Sequence, residues 1–140
     1  MIITQEEIIK HATNYFRVMK TGGTADELAS FFLNPCPRIY LADTGVSISM
    51  EELHEFHKQW KYEKHEFSHF NIMPLNAEPA RVRALGTVYW EAGSDDRVKP
   101  IKNVVGEDWI LEKTSNGDLK FVLYINTFHH LLPDSAPIPF

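Results

Sequence analysis

The sequence predicts an α+β fold in which three N-terminal helices pack inside a curved, cone-shaped antiparallel sheet built from the rest of the chain. Three observations lead there. Of the fifteen Ser and Thr residues, only Thr4, Thr24 and Ser49 are followed three places on by Glu or Gln, namely Glu7, Glu27 and Glu52. Each pair opens a helix-like apolar pattern and reads as a capping box, in which the hydroxyl takes one free amide of the first turn and the glutamate reaches back to another. From Ser68 to Leu131 the chain turns into four long strand-like runs separated by turn residues. Finally, 140 residues, 44% of them hydrophobic and 24% charged, suffice for one soluble domain with its own core. That domain is expected over 1–132, with a Pro-rich tail over 133–140.

Helix one is predicted from about Gln5 to Lys20, where Ile8, Ala12, Tyr15, Phe16 and Met19 recur at spacings of three and four. Gly22-Gly23 ends it. Helix two, about Ala25 to Leu33, buries Leu28, Phe31 and Phe32 and stops before Pro35 and Pro37. Arg38 to Leu41 and Val46 to Ile48 form a short strand or hairpin around Asp43-Thr44-Gly45. Helix three is predicted from about Met50 to Phe67, with Leu53, Phe56, His57, Trp60 and Phe67 on its apolar side. Its Lys58, Lys61 and Lys64, interleaved with Glu55, Glu63 and Glu66, read as a solvated face.

The four runs follow. Ser68 to Asn76 is the first, ended by Glu78-Pro79. In the second, Val82, Ala84, Gly86, Val88 and Trp90 are predicted to face the helices, and Arg81, Arg83, Thr87, Tyr89 and Glu91 to face outward. Ser94 to Arg97 reads as a polar turn, and Lys99 to Lys113 as the third strand. Asn116-Gly117 predicts a tight type I′ turn into the last strand, Leu119 to Leu131. Leu85, Tyr89 and the late aromatics leave an apolar outer face, from which a homodimer through the sheet is expected.

Composition excludes several function classes. A net charge of −5 argues against a nucleic-acid partner. Cys36 is the single cysteine, so an internal disulfide and a cysteine metal cluster are both ruled out. There is no basic, apolar leader and no run of about 18 apolar residues, so neither a secretory signal nor a membrane span is expected, and the chain reads as cytoplasmic. The seven histidines carry no His-Glu-x-x-His helix, and His129 and His130 alternate across a strand, so no metal site is expected.

Three stretches carry a resemblance. Helix one holds Asn14-Tyr15-Phe16-Arg17-Val18-Met19-Lys20-Thr21-Gly22, with the tyrosine seven places before the glycine; helix three holds Glu55-Phe56-His57; and Asp108 precedes Trp109-Ile110-Leu111 and the Asn116-Gly117 hairpin. With the order of elements, these resemble the nuclear transport factor 2-like superfamily, and within it the SnoaL-like polyketide cyclase and ketosteroid isomerase branch, over roughly Glu6 to Leu131. The resemblance implies a cone with an apolar cavity for a small hydrophobic molecule and needs no cofactor. It implies Tyr15 as a donor to a developing enolate, His57 in the place of a supporting tyrosine, and Asp108 as a protonated second donor. The chain departs from the isomerases at the base. The aspartate expected eight residues after the helix-two phenylalanine falls on Tyr40, and the nearest carboxylate is Asp43 in the following turn.

The residues themselves leave alternatives open. Tyr15 is either a core tyrosine or a donor aimed into the cone. Asp108 is a raised-pKa acid if it faces inward and a surface charge if outward, and one register slip exchanges it with Glu107. His57 is either a satisfied core histidine or the proton carrier. Asn126, alternating with Val122, Tyr124 and Phe128, is a pocket amide or an edge amide. The candidate set is therefore Tyr15, His57, Asp108 and Asp43 for catalysis, and Tyr40, Trp60, Trp90, Tyr124, Asn126 and Phe128 for ligand contact. The expected function is a cofactor-independent isomerase, cyclase or dehydratase acting by proton transfer next to a carbonyl of a hydrophobic substrate. The alternatives are a non-catalytic ligand-binding or dimerisation module of the same fold and, third, a transport or secretion accessory domain.

Overall fold

The computed structural model describes residues 2–94 and 99–139. Three helices, α1 (Gln5–Lys20), α2 (Ala25–Ala29) and α3 (Met50–His57), pack against a seven-stranded curved sheet that does not close. The strands are β1 (Arg38–Leu41), β2 (Val46–Ser49), β3 (Tyr62–Phe67), β4 (Asn71–Ala77), β5 (Ala80–Gly93), β6 (Ile101–Lys113) and β7 (Leu119–Leu131). They run in the order β2-β1-β7-β6-β5-β3, with β4 paired to the first half of β5 and β3 to the second. The β1–β7 pairing is parallel, a departure from the expected antiparallel sheet; the other strand pairs are antiparallel.

All three capping boxes form. Thr4, Thr24 and Ser49 each accept the N3 amide on the hydroxyl, while Glu7, Glu27 and Glu52 each accept the N-cap amide. Helix α1 buries the predicted stripe of Ile8, Ala12, Tyr15, Phe16 and Met19. Helix α2 is shorter than expected and ends at Ala29.

The largest departure is in the predicted third helix. It ends at His57, and Tyr62–Phe67 is strand β3. Its burial follows period two: Tyr62, Lys64 and Glu66 are exposed, while Glu63, His65 and Phe67 turn inward. Glu63 is therefore buried and is no part of a solvated face, whereas Lys64 pairs with Glu66 and Lys58 with Glu55 at the surface. A charged residue at an inward strand position breaks the alternation that marks a strand, which is why the run reads as a continuation of the helix.

The β6–β7 connection also differs. In this turn Gly117 takes a positive φ, of 84°, and no non-glycine does among the described residues, so Asn116 does not form the two-residue type I′ turn. Instead Gly117 N–H bonds Thr114 C=O, and Thr114 N–H bonds Asp118 C=O. The predicted turn at Ser94 to Arg97 lies largely outside the described residues.

The core has two parts. The main cluster joins α1 and α2 to the sheet through Ile8, Tyr15, Leu28, Trp109, Leu111 and Phe121. A second cluster, Trp90, Ala92, Ile101 and Val105, is covered by Phe56, Trp60 and two tail residues, Ala136 and Ile138. The tail thus folds back on its own chain. Asp134 pairs with Lys102 at 2.7 Å, Lys102 N–H donates to Ser135 Oγ at 2.8 Å, and Ala136 N–H donates to Pro100 C=O at 3.0 Å.

Candidate functional site

Between the two clusters lies a cavity of about 410 Å³, walled by α1, β1, β2, α3 and the inner faces of β3, β5, β6 and β7, with Ile138 and Pro139 of the tail on one side. Apolar side chains form most of its wall, and a few polar ones interrupt it, the pattern of a small-molecule site. Five of the predicted site residues meet here: Tyr15, His57, Trp90, Tyr124 and Asn126.

The other predicted residues do not line it. Tyr40 is 45% exposed, because odd positions of β1 carry the buried face. Trp60 packs against Phe56 and Trp90 behind the wall. Asp108 sits on the opposite face of β6, in a two-pronged pair with Arg83 at 2.9 and 2.6 Å. Asp43 lies at the rim and bonds the backbone and ring of His129 at 3.1 and 3.0 Å. Burial raises the Asp43 carboxyl and the His129 bonds lower it, leaving it below its ordinary value. Phe128 is 43% exposed on the outer face.

Two irregularities in β7 explain Phe128. Between Gly106↔Phe128 and Glu107↔Asn126 the register slips, so Thr127 opposes no β6 residue, and a second slip skips Val122. Each bulge exchanges the faces of all that follows. The inward row becomes Phe121, Tyr124, Asn126 and His129, where strict alternation gives Val122, Tyr124, Asn126 and Phe128. Phe128 swings outward across Gly106, where an added Cβ would lie 2.3 Å from its ring, so the glycine makes room for the bulge.

The inward carboxylate of β6 is Glu107, buried at the cavity wall. Its Oε2 accepts the Trp109 indole N–H at 2.9 Å and the Asn126 amide at 2.8 Å. Burial drives its carboxyl well above the ordinary value of 4.5, and the bonds from Trp109, Asn126 and Tyr124 oppose that only in part. Burial thus favours the protonated form of Glu107. Because the folded group binds its proton more tightly than the unfolded one, the stability tied to it is complete below pH 4.5 and drains away as pH rises. Glu107→Gln keeps an acceptor for both donors and removes this titration. Its melting temperature is expected to gain on the parent by at least ~3 °C between pH 5 and pH 8, measured by calorimetry. A difference independent of pH would show that Glu107 ionises freely.

His57 is the second centre. Its Nδ1 lies 2.6 Å from Glu63 Oε1, which also accepts the Trp90 indole N–H at 2.8 Å. A carboxylate oxygen only accepts, so the imidazole presents Nδ1–H to it, and the ring borders the cavity. His65, also on the wall, stacks on Phe16 at 4.1 Å with the rings 4° apart. Burial, followed by electrostatic interaction with His57 and Lys20, lowers its pKa to about 3, so it stays neutral near pH 7. Tyr15 is fully buried among Phe16, Phe31, Phe32, Phe121 and Tyr124, and its hydroxyl has no hydrogen-bond partner among the described residues. Burial and the nearby Glu107 both raise its pKa, so it keeps its proton.

Sequence reasoning did not single out Glu63, His65, Glu107 or His129. Glu107 was within reach, since it needed only the alternate face of β6. His129 required the bulge, and Glu63 and His65 required β3. No cluster of three or more His, Cys, Asp or Glu suited to a metal ion occurs among the described residues. None of the described helices is long and apolar enough to cross a membrane.

No family profile matches the sequence, and no curated protein is detectably similar to it. Solved structures do share its fold. A candidate dehydratase of the NTF2-like family from Streptomyces avermitilis superposes with a TM-score of 0.67 at 12% identity, over 88% of this chain and 94% of that one. The LinA-type3 hexachlorocyclohexane dehydrochlorinase of Novosphingobium barchaimii gives 0.65 at 13% identity, over 96% and 93%. Aln2 from a Streptomyces species gives 0.69 at 12% identity, over 91% and 94%.

Proposed function

We propose that this chain, which has the NTF2-like fold, is a cofactor-independent enzyme that moves a proton next to the carbonyl of a small hydrophobic substrate, as in isomerisation, cyclisation or dehydration. One observation carries the reading: a buried histidine, His57, is held by a buried carboxylate on the wall of a largely apolar cavity. Glu63 fixes the ring and leaves Nε2 to take a proton from carbon. Electron density then moves onto the carbonyl oxygen. The Tyr15 hydroxyl and the neutral Glu107 carboxyl are the donors for it, the part that the resemblance gave to Tyr15 and Asp108. Asn126 holds Glu107 in place. His57 returns the proton to another atom of the substrate, or a leaving hydroxyl departs with it. Dehydration and dehydrochlorination, which two neighbours carry in their names, are both eliminations, and this supports the reading. A homodimer through the outer sheet face, where Phe128 and Leu131 are exposed, belongs to the same proposal.

The test is exchange of the α-hydrogens of simple aromatic ketones such as α-tetralone in deuterated water, followed by NMR. The parent protein is expected to accelerate exchange, and Tyr15→Phe to lower that acceleration by about 10²–10³. If the parent binds such ketones but leaves exchange at the buffer rate, the chain is the non-catalytic ligand-binding module of the same fold.

A further inference from the structure

Proton abstraction next to a carbonyl makes a negative charge inside the cavity, so the charge that the wall already carries decides which ligands can enter. Among the described residues, no lysine or arginine lines the cavity. Glu52 does, from an exposed position, and it stays ionised because the Ser49 amide and then the Ser49 hydroxyl hold its carboxyl below the ordinary value. Its partner Arg38, 3.6 Å away, is turned to Ser47, whose hydroxyl and carbonyl it bonds at 2.8 and 3.0 Å. Lys20 acts on His65 from the exposed end of α1 and is not part of the wall either.

The histidines of the wall do not supply the missing cation. His65 stays neutral near pH 7. A proton on His57 is matched by the Glu63 carboxylate at 2.6 Å, and one on His129 by the Asp43 carboxylate at 3.0 Å. Burial keeps the Tyr15 and Tyr124 hydroxyls protonated, and Glu107 is neutral or negative. Near pH 7 the wall therefore carries no net positive charge. An anion that enters it leaves water without gaining a cation, which is the costliest kind of transfer. The reaction escapes that cost. A proton taken from an uncharged ketone stays on His57, so the enolate forms beside a new positive charge and the sum of charges does not change. A ligand that arrives as an anion would place a second negative charge there.

We infer that the cavity selects its ligand by charge, admitting uncharged carbonyl compounds and rejecting those that carry a carboxylate or a phosphate. This deepens the proton-transfer reading and rests on its cavity; the substrate becomes a free ketone, aldehyde or ester rather than a keto acid or a phosphorylated compound. The probes are two pairs matched in size: acetophenone with benzoate, and acetylnaphthalene with naphthoate substituted at the same ring carbon. Binding is read near pH 7 by quenching of tryptophan fluorescence, since Trp90 lies in the wall. The parent protein is expected to hold whichever ketones bind at least about tenfold more tightly than the matching acids. Val46 lines the cavity and is 53% exposed, so Val46→Lys adds an ammonium to the wall with little disturbance of the core. It is expected to tighten acid binding about threefold or more and to leave ketone binding within about twofold.

Two results overturn the selection by charge. In the first, the parent holds an acid within about tenfold of its ketone. In the second, Val46→Lys leaves the affinity for the acids where it was, which assigns their exclusion to shape. A parent that binds no ketone at all overturns the cavity reading together with the selection. Ketone binding with rejection of the acids, but without α-hydrogen exchange, leaves the selection standing and removes only the catalysis.

Discussion

His57→Gln is expected to lower the acceleration of ketone α-hydrogen exchange by about 10²–10⁴, the usual worth of a positioned general base. Glutamine offers no imidazole nitrogen to receive a proton, while its amide can still donate to Glu63 and keep the local packing. Glu63→Gln is the sharper companion. It spares the base and replaces the carboxylate that holds its ring with a neutral amide, a weaker acceptor, so the loss is expected to be smaller, with substrate affinity nearly unchanged. The measurement is the exchange rate at saturating ketone, alongside binding by fluorescence. Equal activity of His57→Gln and the parent would remove His57 from the chemistry. The rim pair of His129 and Asp43 would then be the next base to examine, since His129 also lines the cavity.

Acid is expected to destabilise the protein from about pH 6.5 downward, because two histidines are buried as neutral rings. Burial, with His57 and Lys20 next in effect, lowers His65 from 6.5 to about 3, and burial lowers His11 to about 4 despite its bond to Phe31 C=O. A folded pKa below the unfolded one means that stability is complete above pH 6.5 and is lost as pH falls toward the folded value. Each histidine removes up to about 1.4 kcal/mol per pH unit in that window. Near pH 4 the two together cost several kcal/mol, a large part of a domain's ordinary stability of about 5–15 kcal/mol. Glu107 acts with the opposite sign, since acid favours its folded form. His65→Phe preserves a flat ring against Phe16 and abolishes one of the two titrations. Its acid midpoint, followed by circular dichroism, is expected to fall by roughly half a pH unit or more. An unchanged midpoint would mean that the His65 ring takes up its proton without leaving its place.

The sequence carried the frame of this fold with few errors. The three capping boxes, the α1 stripe, β1, β2, β5 and the length of β7 were all legible, because each depends on neighbours within four or five residues. What failed depended on partners far along the chain. Tyr62–Phe67 looks helical until β5 offers six residues to pair with it and His57 and Trp90 offer hydrogen to Glu63. Only then does an inward glutamate become tolerable.

The candidate site divides in the same way. Tyr15 and His57 could be placed on apolar faces by helical spacing alone, and Trp90, Tyr124 and Asn126 by alternation along a strand. The choice of Glu107 over Asp108 as the enclosed carboxylate required the register of β6, which no short stretch encodes, since the two residues differ only in which face each meets. Arg83 on β5 completes that choice by pairing with Asp108 outside. His129 entered the cavity and Phe128 left it because Thr127 bulges over Gly106. Local physics, through caps, periods and turn residues, determined where the helices start, the buried stripe of α1 and most of the strands. The tertiary structure decided which polar groups meet in the cavity, because burying a charge or an amide depends on partners that only the assembled sheet brings near.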